Sequence, residues 1–511
     1  MKKKDWFKVK RYPHIDVPIE GKMRLEWIED YITDEKKISE HSFLPFIHRT
    51  IYQRRFRKKF DDNTGEKITY FREEEELERY PDKKLREIFY ASHLDALVYS
   101  FYAQILNERY EEKIKEHGLG DIINAYRSIP IDSNLKNSPN KCNIDFANDA
   151  FKNILEFDND EFSVIAFDIS GFFDNLDHKL LRDIWMEVLN VNRLPPDHFN
   201  VFKNITRFSH VDIVDIFKEF QNQIITRKRD KEGKFLPERK KKVAKIEFLK
   251  SQNATAFCTK KDFLKVKNKL LQPSKTFKDK DGKIIYKNFG IPQGSPISAV
   301  LANLYLLHFD KIVKEFVENE GGIYRRYSDD MIVICHLESK ETISDLIYRE
   351  IKKYHLEIQK KKTQIFRFKK QNNRLICGQE FIQQINWNKN FVYLGFEFDG
   401  YHTTIKSGSV ANYYRKMKRS IRRSRHFSNK NGKDQNLIFK RRLYKRFTYK
   451  GIKRYKKYKW NNSSKKFEKS EDFNWGNFLS YADKASKRMV NNKIKSQIKN
   501  HWKIFHDELN P

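Results

Sequence analysis

The apolar positions of this chain fall into short runs more often than into long stripes. Phe162-Ser163-Val164-Ile165-Ala166-Phe167 is β-branched and aromatic and predicts a buried strand ending at Asp168. Ile323-Tyr324-Arg325-Arg326 and Met331-Ile332-Val333-Ile334-Cys335 predict two strands around Tyr327-Ser328-Asp329-Asp330, so two adjacent acids sit at a hairpin tip. From Arg86 to Lys115 the apolar positions recur at helical spacing, and Ser298 to Tyr305 reads as an apolar helix. Another helix is expected from about His178, with Asp174 or Asp177 as its N-cap, and an amphipathic one from Asn477. The pattern gives a mixed α/β (α+β) chain in four parts. Residues 1–80 are a charged extension, 81–160 are largely helical, 161–400 alternate strand and helix, and 401–511 are helical. Residues about 210–288 read as an insertion, because the stretch from Asp168 to Gly290 is longer than the third part needs.

Charge changes this picture most at the C-terminal end. The chain carries a formal charge of +34, a field that favours a polyanionic partner. Residues 401–511 hold 31 basic and 7 acidic residues. Within 411–460, 20 basic residues against one acid are interleaved with Tyr413, Tyr414, Phe427, Phe439, Tyr444, Phe447, Tyr449, Tyr455 and Tyr458. Aromatic faces for bases beside cations for phosphates suit RNA or single strands, and so many aromatics argue against a disordered basic tail. A second basic stretch, Arg227 to Lys242, lies in the insertion. The four cysteines have no CxxC spacing, which argues against a zinc site or a disulfide framework. No apolar run follows the first Met and none reaches transmembrane length, so a cytoplasmic protein without a membrane partner is expected.

The candidate chemistry lies in three carboxylates. An acid at the end of an apolar strand is costly to bury unless it is paired or metal-bound. Asp168, Asp329 and Asp330 together would offer hard oxygen ligands for two Mg²⁺ ions, with Mn²⁺ as the alternative. Between them, Gly290-Ile291-Pro292-Gln293-Gly294-Ser295-Pro296 forces an irregular loop that runs into a helix start, where backbone N–H groups are free for a ligand. Taken singly, an acidic turn is mostly solvated and such a loop is an ordinary turn.

Taken in order, the segments "FDISGFFDNLDH", "GIPQGSPISAVLANLYLLHFD" and "YSDD" resemble motifs A, B and C of reverse transcriptases, above all those of group II introns and other prokaryotic enzymes. Leu356 to Thr363 resembles motif D, and Tyr393-Leu394-Gly395-Phe396 the primer-grip turn. The resemblance implies a right-hand polymerase, with fingers at 81–160, a palm at 161–400 and a basic helical thumb at 401–511. It implies catalytic Asp168, Asp329 and Asp330, with the Ile169 backbone as a further metal ligand. Arg86, Phe173, Gln293 and Lys362 would face the incoming nucleotide. Arg127, Gly294, Ser295, Pro296, Tyr327, Ser328, Leu394 and Gly395 would face template or primer. Phe173, five residues after Asp168, would crowd a ribose 2′-hydroxyl and select deoxynucleotides.

The expected activity is RNA-directed DNA synthesis from dNTPs on an RNA template or non-coding RNA, with DNA as product. "NFLSYADKASKRM" and the long N-terminal part look like defence-associated bacterial reverse transcriptases, which implies a role in antiphage immunity. Two other readings stand beside this one: a template-independent or protein-primed DNA polymerase, and an inactive palm kept as an RNA-binding scaffold. Three mutually repelling acids argue against the last.

Overall fold

The Phe162–Phe167 run lies at the centre of the main sheet. In the computed structural model, residues 5–58, 79–135, 138–228, 236–273, 276–278, 284–359, 363–382, 384–430, 439–451, 456–461, 464, 466–473 and 476–510 are described. Six antiparallel strands run in the order Ile323–Tyr327, Asp330–His336, Glu161–Asp168, Gln364–Gln371, Arg374–Glu380, Ile385–Asn386. Successive residues of a strand point to opposite faces, and here both faces are covered. Ile165, Phe167, Met331 and Val333 enter one core with the helices His93–Glu116, His178–Leu189, Ser298–Tyr305 and Leu307–Asn319. Phe162, Val164, Ile332 and Ile334 enter a second with the helix Asn143–Leu155 and the small sheet Phe391–Tyr393, Phe396–Phe398, Thr403–Ile405. Burial on both faces is why these strands read as unbroken apolar runs.

Several local expectations hold. Asp177, not Asp174, caps the helix from His178, its side chain accepting from the N–H groups of Lys179 and Leu180. Asn477 caps Phe478–Arg488 in the same manner. The helical reading of 86–115 began too early. Arg86 lies on the strand Arg79–Tyr90, paired antiparallel with Phe46–Lys58, and the helix starts at His93 behind a Ser92 cap. Ile88, Phe89 and Tyr90 favour extended backbone and override the helical spacing.

The two parts whose roles the sequence did not explain fold together. His14–Ile15 pairs parallel with Ala254–Cys258, in a four-stranded sheet completed by Ile224–Thr226 and Arg239–Lys241. Ile15 and Ile47 share a core with Val211, Phe217, Val243 and Phe257, and Arg227 donates to the Glu20 carboxylate at 2.6 Å. His210–Asp212 adds in parallel to Phe46–Lys58. Residues 210–271 therefore share their sheets and core with residues from the first 50 positions of the chain.

At the C-terminal end, the helices Ser407–Lys430, Lys440–Phe447, Phe478–Arg488 and His501–Leu509 pack around Met417, Ile421, Leu443 and Phe505. The expectation of a wholly helical end is corrected by a hairpin, Lys456–Asn461 with Lys466–Phe473, where Tyr458, Trp460 and Phe467 supply strand-forming residues. The four cysteines are free thiols. Among the described residues no helix is long and apolar enough to cross a membrane.

Candidate active site

Register gathers the three acids. Asp330 stands directly opposite Asp168 in the ladder, and Tyr327 opposite Asp330, leaving Ser328 and Asp329 as a two-residue turn. Directly opposed residues of an antiparallel pair project to one face with Cβ atoms about 4.5–5.5 Å apart. The Asp329 carbonyl accepts from the Ile169 N–H at 3.2 Å, so the turn is stitched to the residue after Asp168. Leu356 to Gln359 borders the other side. Ser170 N–H donates to the Glu357 carbonyl at 2.8 Å, Gln359 N–H to the Asp168 carbonyl at 3.3 Å, and Ile169 bridges Ile358. Asp168 and Asp329 are half-buried and Asp330 is exposed.

A buried ion pair braces the turn from behind. Ser328 has φ +62°, in the left-handed region that few residues other than glycine occupy. Its carbonyl accepts from Arg326 Nη1 at 3.1 Å. Arg326 Nε donates to both carboxylate oxygens of Asp310 at 2.7 and 3.0 Å, and both side chains are fully buried. Burial disfavours the charge on Arg326, but Asp310 more than offsets it and holds the guanidinium above its ordinary value. Tyr324 also donates to Asp310, and Tyr126 Oη lies 3.2 Å from Ser328 Oγ. The sequence reading missed this brace, although a lone acid at the end of the apolar helical segment 298–310 was its available signal.

The GIPQGSP loop forms a second wall. Gly290 N–H donates to the Leu176 carbonyl and Ile291 N–H to that of Phe173, each at 2.8 Å. A Cβ on Gly290 (φ +90°) would lie 2.7 Å from the Asp174 carbonyl oxygen, so only glycine fits. Gly294 (φ +120°) meets the Phe89 carbonyl in the same way at 2.6 Å, and Phe89 N–H donates to the Gln293 carbonyl. The loop is thus pinned between the half-buried Phe173 and the end of the strand that carries Arg86. Gln293 and Pro296 are half-buried, Gly294 is exposed, and Ser295 is buried.

Arg86 is exposed and stands opposite Ile51. Arg127 is corrected. Its side chain is 5% exposed, donates from Nε and Nη2 to Glu111 at 2.9 and 2.8 Å, and from Nη1 to the Gly120 and Ile123 carbonyls. It clasps the protein's own loop and does not face an open groove. Lys362 lies outside the described residues. Leu394 and Gly395 both have positive φ (46° and 91°), the signature of a tight type I′ hairpin turn. The Leu394 carbonyl accepts from Asn143 Nδ2 at 3.3 Å.

Leu394 and Gly395 also line a cavity of about 950 Å³ that continues onto the C-terminal helices, past Lys416, Arg442, Lys445 and Arg446. The aromatics of that region divide. Tyr413 and Phe447 are core, whereas Phe439, Tyr449 and Tyr458 are exposed.

Whether the acids suit a divalent cation is decided by register and donor chemistry. Among the described residues, no three His, Cys, Asp or Glu side chains are gathered into a group that could hold a metal ion as they stand. The donors nonetheless fit one: hard carboxylate oxygens on rigid strand ends, with two carboxylates directly opposed across a ladder.

Comparison with known proteins bears on part of this arrangement. Residues 247–398 match the family model "Reverse transcriptase (RNA-dependent DNA polymerase)". The match takes in GIPQGSP, YSDD and the Leu394–Gly395 turn but begins after Asp168. No curated protein matches the chain significantly. Similar solved structures include apo telomerase from Candida tropicalis truncated from its C-terminal domain, at 11% identity and TM-score 0.34, covering 77% of this chain and 62% of that one. Telomerase from Candida albicans in complex with a TWJ fragment of telomeric RNA is another, at 12% identity and TM-score 0.33, covering 81% and 57%. The chain thus spans about three fifths of the length of these proteins. The acidic hairpin and the glycine-pinned loop thus lie within a stretch that is similar to the reverse transcriptase model, in a mixed α/β fold.

Proposed function

We infer that the chain is an RNA-directed DNA polymerase that extends a 3′-hydroxyl with dNTPs. The observation that carries this is the pairing of Asp168, which precedes the matched stretch, with Asp330 beside the Asp329 turn, which lies within the stretch similar to the reverse transcriptase model. Asp168, Asp329 and Asp330, with the Ile169 backbone, would hold Mg²⁺ or Mn²⁺, which lowers the pKa of the attacking hydroxyl and neutralises charge on the leaving pyrophosphate. The chain's own residues do the positioning. Arg326 and Asp310 fix the acidic turn, while Gly290 and Gly294 hold Gln293 and Phe173 in one wall beside it. Phe173 excludes a 2′-hydroxyl by bulk. Arg86 and Lys362 supply cations to the triphosphate. Gly294 to Pro296, Tyr327, Ser328 and the Leu394–Gly395 turn border template and primer, and the basic C-terminal helices act as the thumb.

The biological reading is bacterial antiphage defence, supported by the resemblance of "NFLSYADKASKRM" and of the long N-terminal part. Primer extension on an RNA template with Mg²⁺ and dNTPs, beside Asp329→Ala/Asp330→Ala, tests the enzymatic reading. Product is expected only from the unmodified protein, and equal product from both would sink it. Omitting the template and then digesting any product with protease separates templated synthesis from template-independent or protein-primed synthesis.

A further inference from the structure

The cavity beside the Leu394–Gly395 turn has a wall that the thumb does not supply. Lys250, in the insertion, lines it together with Lys416, Arg442, Lys445 and Arg446. Among the described residues, none that lines it is acidic, in a chain with 69 Asp and Glu residues. Among the described residues, none of these five cations forms an ion pair, whereas elsewhere on the insertion Lys240 is paired with Asp262 and Lys269 with Glu219. Lys250 is exposed and follows the buried Leu249, which belongs to the core shared by the insertion and the N-terminal extension. The cation is thus presented from a folded support.

We propose that the insertion, through Lys250, is the second wall of a closed channel that holds a nucleic-acid duplex by its phosphates, with the thumb helices as the first wall. This rests on the polymerase reading for the direction from which the duplex comes, and on the cavity itself for the contact. The occupant follows from which groups face the space. Tyr413 and Phe447 are 6% and 3% exposed, Tyr413 stacks on Phe478 at 4.6 Å, and its hydroxyl donates to the Phe447 carbonyl. The half-buried rings of Phe478 and Tyr481 also line the cavity, but the first is taken up by that stack on Tyr413 and the second stacks on Phe396 at 5.9 Å, and cations with Asn143, Asn412 and Asn477 line the rest. Phosphate contacts beside rings already stacked on the protein itself suit a duplex backbone, while a single strand is held chiefly by stacking.

The test measures equilibrium binding of a fluorophore-labelled RNA–DNA hybrid duplex, without nucleotides or divalent metal, across a range of KCl concentrations. Removing one phosphate-binding cation lowers the slope of log K against log salt by about 1. Lys250→Ala is expected to weaken binding and lower the slope by about 1, Arg446→Ala to do the same, and the double variant to lower it by about 2. Lys250 is exposed, so unchanged thermal denaturation is expected of its variant. An unchanged slope for Lys250→Ala beside a lowered one for Arg446→Ala would overturn the second wall. Weakened binding of single-stranded RNA beside unaltered binding of the duplex would overturn the occupant. Because no synthesis is measured, failure here is distinct from failure of the polymerase reading, which primer extension reports separately.

Discussion

Arg326 donates to the Ser328 carbonyl at 3.1 Å while its other nitrogens grip Asp310. The residue that bends the acidic turn is thereby tied to a fully buried ion pair on the opposite face of the sheet. Replacing Arg326 with Met leaves Asp310 buried and unpaired, a change that costs ~3–5 kcal/mol. Urea denaturation of Arg326→Met is expected to show that loss. Arg326→Lys keeps the charge but loses the fork, so it should recover part of the stability and little of the primer extension.

The facing pair Asp168 and Asp330 gives a stability signature of its own. Like charges directly opposed across a ladder cost a few tenths to ~1 kcal/mol. In metal-free buffer, Asp330→Asn is expected to melt at or above the temperature of the unmodified protein. Added Mg²⁺ should raise the melting temperature of the unmodified protein and move the variant less. Equal Mg²⁺ responses would count against a metal held by this pair.

Phe173 is half-buried and its carbonyl is bonded to Ile291, so its backbone position is fixed by the loop it faces. Phe173→Ala should raise incorporation of ribonucleotides relative to deoxynucleotides in single-nucleotide extension. An unmoved ratio would reduce Phe173 to core packing.

Gly290 tolerates no side chain, because a Cβ would meet the Asp174 carbonyl at 2.7 Å and φ is +90°. Gly290→Ala is expected to destabilise by more than ~1 kcal/mol and to raise KM for dNTPs, because the loop must move from Phe173. Gly395 has nothing within 4 Å of a built Cβ. Gly395→Asn, which tolerates positive φ, should therefore be mild.

Acid should loosen the docking of the N-terminal segment. His14 is buried, with its pKa pushed down to about 3 by burial and by neighbouring His93. Burial lowers His93 to about 4, and both its ring nitrogens are buried without a hydrogen-bond partner. The ordinary value near 6.5 applies to the unfolded chain, which therefore binds protons first as pH falls. Stability is full above about pH 6.5 and declines toward pH 4, by up to ~1.4 kcal/mol per pH unit for each histidine. Thermal denaturation from about pH 7.5 to 4.5 should show the decline, and His93→Phe should flatten it.

The acidic hairpin and its partner strand were legible because unbroken apolar runs ending in acids are rare and costly. The glycine loop was legible because φ above zero and close backbone approach both demand glycine. Partnership across the chain was not. Nothing in local sequence says that Arg326 pairs with Asp310, or that Arg127 is used up by Glu111, since a cation reads the same whether it faces solvent or a buried acid. Nor could a two-residue strand at His14–Ile15 leave any periodicity to detect. The start of the first long helix was misplaced because spacing alone cannot separate a strand that runs straight into a helix.

The pairing of His14–Ile15 with Ala254–Cys258 has a consequence for the order of assembly. It joins stretches separated by almost half the chain, and a contact of such long range cannot reward its loop-closure entropy until both ends exist. During synthesis Ile15 must wait, apolar and without its partner strand, until Cys258 has left the ribosome. The unit that presents Lys250 is then among the late parts to consolidate, and refolding should show a slow phase that a fluorophore near residue 250 reports and one on the central sheet does not.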